Sequence, residues 1–158
     1  MGQAQAKRPT PRAGDATLRG FVGYHVKRAM SVMLADLMRA LEPYELRLVT
    51  YSALVVIVDN PGLRQAQLAD ILDIERPNLV QIVDDLEGKG LIRREKVPTD
   101  RRAYALMATD RGQEVAGEAG YAIRAAEEQR LVALSDEERR EVIRAMNLIE
   151  RGQGGAKA

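Results

Sequence analysis

The chain has 158 residues, enough for one domain with a real core or for a small module with an assembly surface. It is rich in Ala, Leu, Val, Arg and Glu, with one Phe and no Trp, so helices are expected to dominate. The absence of Cys excludes disulfides, thiolate zinc sites and cysteine redox sensing, and a net charge of +1 by itself points to no partner.

Residues 1–15 combine two prolines, three basic residues and no apolar period, and are expected to form a disordered arm. Helical periodicity starts near Thr17 or Leu18 and runs through Val22, Val26, Met30, Met33, Leu34, Leu37 and Leu41, ending before Pro43. After a connector from Tyr44 to Leu48, the apolar run Val49 to Val58 predicts a helix buried on several sides, stopped by Asn60-Pro61-Gly62. Gln65 to Leu72 predicts a short helix, and Asp73-Ile74-Glu75 turns the chain into another, Arg76 to Glu87. Two short helices joined by a few residues make a helix-turn-helix candidate, with the second as the expected reader.

In that second helix Leu79, Ile82, Val83 and Leu86 form the i, i+3, i+4, i+7 stripe of a packed face. Asn78 and Gln81 lie off the stripe, with Arg76 and Pro77 in the opening turn. Asn and Gln amides can pair in bidentate fashion with adenine in the major groove. The helix ends at Gly88-Lys89-Gly90. Leu91 to Glu95 and Ala103 to Met107 then read as two strands around a Pro98-Thr99-Asp100 turn, a wing.

Charge follows the same division. Lys89 to Arg102 holds six basic and two acidic residues, whereas Glu114 to Glu150 holds nine acids and five arginines. A basic patch confined to one stretch is the footprint of a phosphate-facing surface. Farther on, Thr109 or Asp110 caps a helix rich in Ala and Gly that runs to Leu131. A Ser135 to Glu138 capping box then opens a last helix carrying Val142, Ile143, Met146 and Ile149.

The fold class expected is mainly α with a small β-wing, a winged helix-turn-helix with long terminal dimerisation helices. The parts are an arm (1–15), a first dimerisation helix and connector (16–48), the winged helix-turn-helix (49–108), C-terminal dimerisation helices (109–151) and a flexible tail (152–158). One His, no Cys, no metal-ligand cluster, no phosphate loop and no nucleophile-elbow serine leave no catalytic residue, metal or cofactor to expect. No run reaches membrane-spanning length and the start lacks a secretory apolar region, so no membrane partner is expected and the cytoplasm is the expected location. The rival to a DNA reader is a protein-interaction module on the same scaffold, against which the basic wing argues.

The order of elements, with Leu68-Ala69, the helix from Arg76, Gly90-Leu91-Ile92, Asp100-Arg101-Arg102, Leu106 and Thr109-x-x-Gly112, resembles the multiple-antibiotic-resistance-type (MarR) family of bacterial transcriptional regulators. The resemblance covers roughly Val22 to Glu150, and the Asp-Arg-Arg wing is its most specific part. It implies a homodimer whose terminal helices interlock and whose two lobes grip successive major grooves of double-stranded DNA. It also implies base contacts from Arg76, Pro77, Asn78 and Gln81, minor-groove contacts from Arg101 and Arg102, and an orienting ion pair from Asp100. Gln81 and Asp85 stand where the family often has Arg or Lys, so the base preference is this chain's own.

The family also binds small anionic or phenolic effectors in a crevice lined by the first, second and fifth helices. Tyr24, His25 and Arg28, and Tyr44, Arg47 and Tyr51, are the residues the resemblance points to. Tyr24 and Arg28, like Arg47 and Tyr51, are one helical turn apart, and an arginine beside a phenol suits the carboxylate of an aromatic acid. His25 and Arg28 have a plainer reading as packing or ion-pair residues. The runs Gly23 to Ala29, Leu46-Arg47 and Asn60 to Gln65 are similar to a branch associated with hydroxycinnamate and other aromatic-acid catabolism, some of whose members respond to the acyl-CoA thioester.

Overall fold

The computed structural model describes residues 14–97 and 100–152. By internal contacts the chain forms two units, Met1–Val32 and Met33–Ala158. In order, the elements are α1 (Val22–Leu41), α2 (Leu48–Asp59), β1 (Leu63–Arg64), α3 (Gln65–Leu72), α4 (Arg76–Gly88), β2 (Ile92–Val97), β3 (Asp100–Ala108), α5 (Asp110–Arg130) and α6 (Asp136–Gly152). Short 3-10 turns occupy Leu18–Gly20 and Glu42–Tyr44. The result is mainly α with a small antiparallel sheet. Of the predicted arm, residues 1–13 lie outside the described residues, as do the tail beyond Gly152 and the turn residues Pro98 and Thr99; Asp15, expected to be disordered with the arm, is instead held by Arg19 and Tyr24.

In the first unit the helix expected from Thr17 or Leu18 starts later. A 3-10 turn ends at Gly20, a poor helix former, and Phe21 is extended (φ −107°, ψ 127°) before α1 begins.

The second unit is organised around α2, whose apolar residues leave no polar face. Ala53, Leu54 and Ile57 are fully buried, with α3, α4, α5 and β3 packed around the helix. Its one buried polar side chain, Thr50, is satisfied locally: the Arg47 N–H donates to Thr50 Oγ1 at 2.9 Å, and the hydroxyl donates to the Arg47 carbonyl at 2.9 Å. The sheet has the order β1-β3-β2. Ile92 pairs with Ala108 and Arg94 with Leu106, while β1 joins the other edge of β3 through Leu63 opposite Leu106. This third strand was not expected.

Two junctions fix the wing. Beyond α4, Gly90 adopts φ 68°, its N–H donates to the Glu87 carbonyl at 2.9 Å and the Leu91 N–H to the Leu86 carbonyl at 3.0 Å. That is a Schellman end, closed by the buried pair Leu86 and Leu91. At the start of α5, Thr109 caps by accepting from the Gly112 N–H at 3.0 Å. Thr109 also donates its own N–H to the Leu91 carbonyl at 3.0 Å, and its hydroxyl to the Gly90 carbonyl at 2.8 Å with the Leu91 carbonyl 3.1 Å away. A Cβ on Gly112 would sit 1.9 Å from that same oxygen, which explains the glycine in Thr109-x-x-Gly112.

The capping box of α6 forms as expected: the Ser135 N–H donates to Glu138 Oε2 at 2.8 Å and the Glu138 N–H to Ser135 Oγ at 3.3 Å. This helix buries none of its side chains. No helix of the described residues is long and apolar enough to cross a membrane.

Candidate functional site

The α3–α4 turn depends on Asp73, which adopts φ 50° and lets the Ile74 N–H reach back to the Ala69 carbonyl at 3.0 Å. Helix α4 then starts with Pro77 in its first turn, where a missing N–H costs nothing, and the Asn78 and Leu79 N–H groups converge on the Glu75 carbonyl at 3.0 and 3.1 Å. Leu79, Ile82, Val83 and Leu86 are buried; Arg76, Pro77, Asn78 and Gln81 are exposed. The structure therefore brings the four predicted reading residues together on the open side of the helix's first half.

The second half of α4 is engaged by the wing. Arg94 of β2, with a side chain only 22% exposed, bridges Asp84 and Glu87. Glu87 also accepts the Arg94 backbone N–H at 3.1 Å. Burial works against the Arg94 charge, yet the two carboxylates outweigh it and hold the guanidinium above its ordinary pKa. Lys89 donates to Asp85 at 2.9 Å and to the Glu45 carbonyl at 2.8 Å, tying the end of α4 to the segment before α2. Arg93 pairs with Glu95 at 2.7 Å.

These contacts revise the charge reading. Lys89 and Arg94, expected as part of a phosphate-facing patch, brace the lobe internally and between them pair the three acids of α4, Asp84, Asp85 and Glu87. The backbone of Asp100, Arg101 and Arg102 belongs to β3, but their side chains lie outside what is described, as does the tip itself.

The six predicted effector residues divide between the units. In Met1–Val32, Tyr24 donates its hydroxyl to Asp15, Arg28 donates to the Tyr24 oxygen at 3.3 Å, and His25 Nε2 lies 2.9 Å from the Arg19 carbonyl. In Met33–Ala158, Arg47 stands at a cleft of about 920 Å³ with Leu34, Met38, Leu46, Leu72 and Ile74 among its walls. Tyr44 is half-buried against the core. Tyr51 turns instead toward α5, where its hydroxyl would meet a Cβ on Gly120 at 3.0 Å, and burial pushes its phenol pKa up while Arg124 opposes the shift. Thus Arg47 and Tyr51, one turn apart, serve different surroundings. The apolar cleft walls went unnoticed in the sequence, although Leu34 and Met38 share a face of α1 at four-residue spacing.

Comparison with known proteins agrees with this geometry. The family model described as MarR family matches residues 45–103, from just before α2 into the wing. A Thauera aromatica protein, named for transcriptional regulation of the hcr operon, is 35% identical over 124 residues, covering 78% of this chain and 75% of its own. The transcriptional repressor CouR, solved bound to a 23-mer DNA duplex, is 33% identical with a TM-score of 0.77, over 87% of this chain and 96% of CouR. CouR bound to p-coumaroyl-CoA superposes with a TM-score of 0.77 at 29% identity, over 87% of this chain and 97% of CouR. With its helix-turn-helix, braced wing and terminal helices in this order, the chain belongs to the MarR family of winged helix-turn-helix transcriptional regulators.

Proposed function

We propose that this chain is a ligand-responsive, sequence-specific DNA-binding regulator, acting as a homodimeric repressor that an aromatic acid or its CoA thioester releases from a pseudo-palindromic operator. The observation that carries the reading is the division of α4. Its three acids are each paired with Arg94 or Lys89, while Arg76, Pro77, Asn78 and Gln81 remain open to a partner. Asn78 and Gln81 supply bidentate amides for bases and Arg76 supplies charge. Arg101 and Arg102, assigned from the sequence, reach the flanking minor groove and read its width, with Asp100 orienting one of them.

Dimerisation is supported by the uncovered apolar residues of α6, since each such side chain fully covered contributes roughly 1.5–3 kcal/mol. A dimer must hold its reading helices about one helical turn, roughly 34 Å, apart to occupy both half-sites. An effector that binds a different lobe spacing more tightly than the DNA-ready one shifts the population off DNA. CouR's complex with p-coumaroyl-CoA supports that class of effector. In this proposal the chain acts in the cytoplasm as a regulator and not as an enzyme.

The test is anisotropy on intergenic DNA upstream of the gene, at stated salt. Asn78→Ala and Gln81→Ala are expected to lose about 1–3 kcal/mol each on operator and little on random duplex. Arg101→Ala with Arg102→Ala is expected to abolish retention on every sequence. Absence of DNA retention by the parent protein would favour an interaction module instead, and wild-type affinity in these variants would place the DNA contacts on other residues. p-Coumarate and p-coumaroyl-CoA should raise the free fraction, and indifference to both removes that effector class.

A further inference from the structure

The unit Met1–Val32 gathers an unusual set of groups around one carboxylate. Asp15 Oδ1 accepts from Arg19 Nε at 2.8 Å, Oδ2 accepts from the Tyr24 hydroxyl, and Arg28 Nη1 stands 4.0 Å from Oδ2. Arg28 also donates to the Tyr24 oxygen at 3.3 Å, with its guanidinium 5.6 Å from the centre of the Tyr24 ring. The 3-10 turn makes the convergence possible. The Arg19 N–H donates to the Asp15 carbonyl at 3.0 Å, and the contact of His25 Nε2 with the Arg19 carbonyl at 2.9 Å pins that turn to α1.

Two guanidinium groups and a phenol around one anion are the donors a carboxylate or phosphate ligand would use. Here the chain supplies the anion itself. The Tyr24 hydrogen bond first, then Arg19, holds the Asp15 carboxyl down at about 2, so Asp15 is ionised across the physiological range. Its grip is nonetheless weak, because the groups are wet: the Arg19 and Arg28 side chains are 53% and 58% exposed. A ligand carrying more charge, or a second foothold, can exchange with it.

We propose that Arg19, Tyr24 and Arg28 form an anion-receiving site that Asp15 fills as an internal stand-in, and that the anionic group of the effector enters by displacing it. The inference rests on the effector reading above and adds a threshold to it. An occupied site lowers apparent affinity by the fraction of time it is free, so Asp15 sets the effector concentration at which the protein responds.

Isothermal titration of the full chain with p-coumarate, CoA and p-coumaroyl-CoA, on wild type, Asp15→Asn, Arg28→Ala and the double variant, tests this. Asp15→Asn is expected to tighten binding roughly three- to tenfold, and the gain should vanish when Arg28 is also replaced. A gain with p-coumarate identifies a carboxylate as the entering group, whereas a gain confined to CoA and its thioester identifies phosphate. Unchanged or weaker binding in Asp15→Asn overturns the proposal while leaving an effector response intact. Should none of the three bind, the effector reading fails. The site is then judged by following the Tyr24 ring resonances during titration with inorganic phosphate. A saturable shift that comes at lower phosphate in Asp15→Asn supports it, and no shift in either protein overturns it.

Discussion

Helices α4 and α6 carry the same kind of apolar stripe and meet different ends. In α4 the stripe of Leu79, Ile82, Val83 and Leu86 is at most 6% exposed, whereas in α6 Val142, Ile143, Met146 and Ile149 stay between 41% and 61% exposed. Periodicity in a sequence says which face of a helix wants cover; it does not say what provides it. For α4 the cover is the lobe's own core. For α6 nothing among the described residues provides it, and a second copy of the chain is the partner proposed above. The core of the lobe is thus closed within one chain, and under that proposal the stripe of α6 is closed by another.

The largest expected effect breaks that contrast at α6. Replacing Ile143 and Ile149 together by Glu removes two apolar side chains from the proposed interface, roughly 3–6 kcal/mol. Sedimentation should then find a monomer at concentrations where the parent is dimeric, with helical content preserved. A dimer that survives unchanged would put the association surface elsewhere. A smaller effect is expected inside the lobe from Gly112→Ala. Its new methyl would run into the Leu91 carbonyl, so about 3 kcal/mol of stability should be lost in denaturant unfolding, with association intact. If the midpoint does not move, the close approach of α5 to the Leu91 carbonyl is not as tight as described.

The smallest effect concerns the start of α6. Ser135→Ala removes the cap and should cost about 1 kcal/mol. The Glu138 carboxyl is held below its ordinary range, first by the Ser135 backbone N–H and then by its hydroxyl. A lowered folded-state pKa contributes stability that is complete above the unfolded value, about 4.3, and is lost as pH falls through the folded one. Glu138→Gln should accordingly flatten the acid limb of a pH-stability curve below about pH 4.3 and leave pH 7 unfolding cooperative.

Much of the lobe was legible because its signals are local. The stretch Gln65 to Leu72 matches α3 at both ends, Thr109 and Ser135 cap where their side chains indicated, and the α4 stripe is buried as its spacing required. What stayed hidden depends on partners distant in sequence. Strand β1 has two residues, too few for any period, and exists only because Leu106 and Ala105 lie alongside. The charges of Lys89 and Arg94 looked like a phosphate-facing run until Asp85, the Glu45 carbonyl, Asp84 and Glu87 came into contact with them. Among the effector candidates, spacing placed Tyr24 beside Arg28 correctly. It could not reveal that Asp15 joins them, since that contact needs the chain to break helix at Phe21.

The Leu91 carbonyl has a mechanical meaning. It takes the Thr109 N–H and lies where Gly112 has no side chain, while the Thr109 hydroxyl reaches the Gly90 carbonyl beside it, so the first turn of α5 and the root of the hairpin touch backbone to backbone. No flexible spacer separates them. A joint closed in this way couples the orientation of the hairpin to that of α5, as a key couples a shaft to its hub.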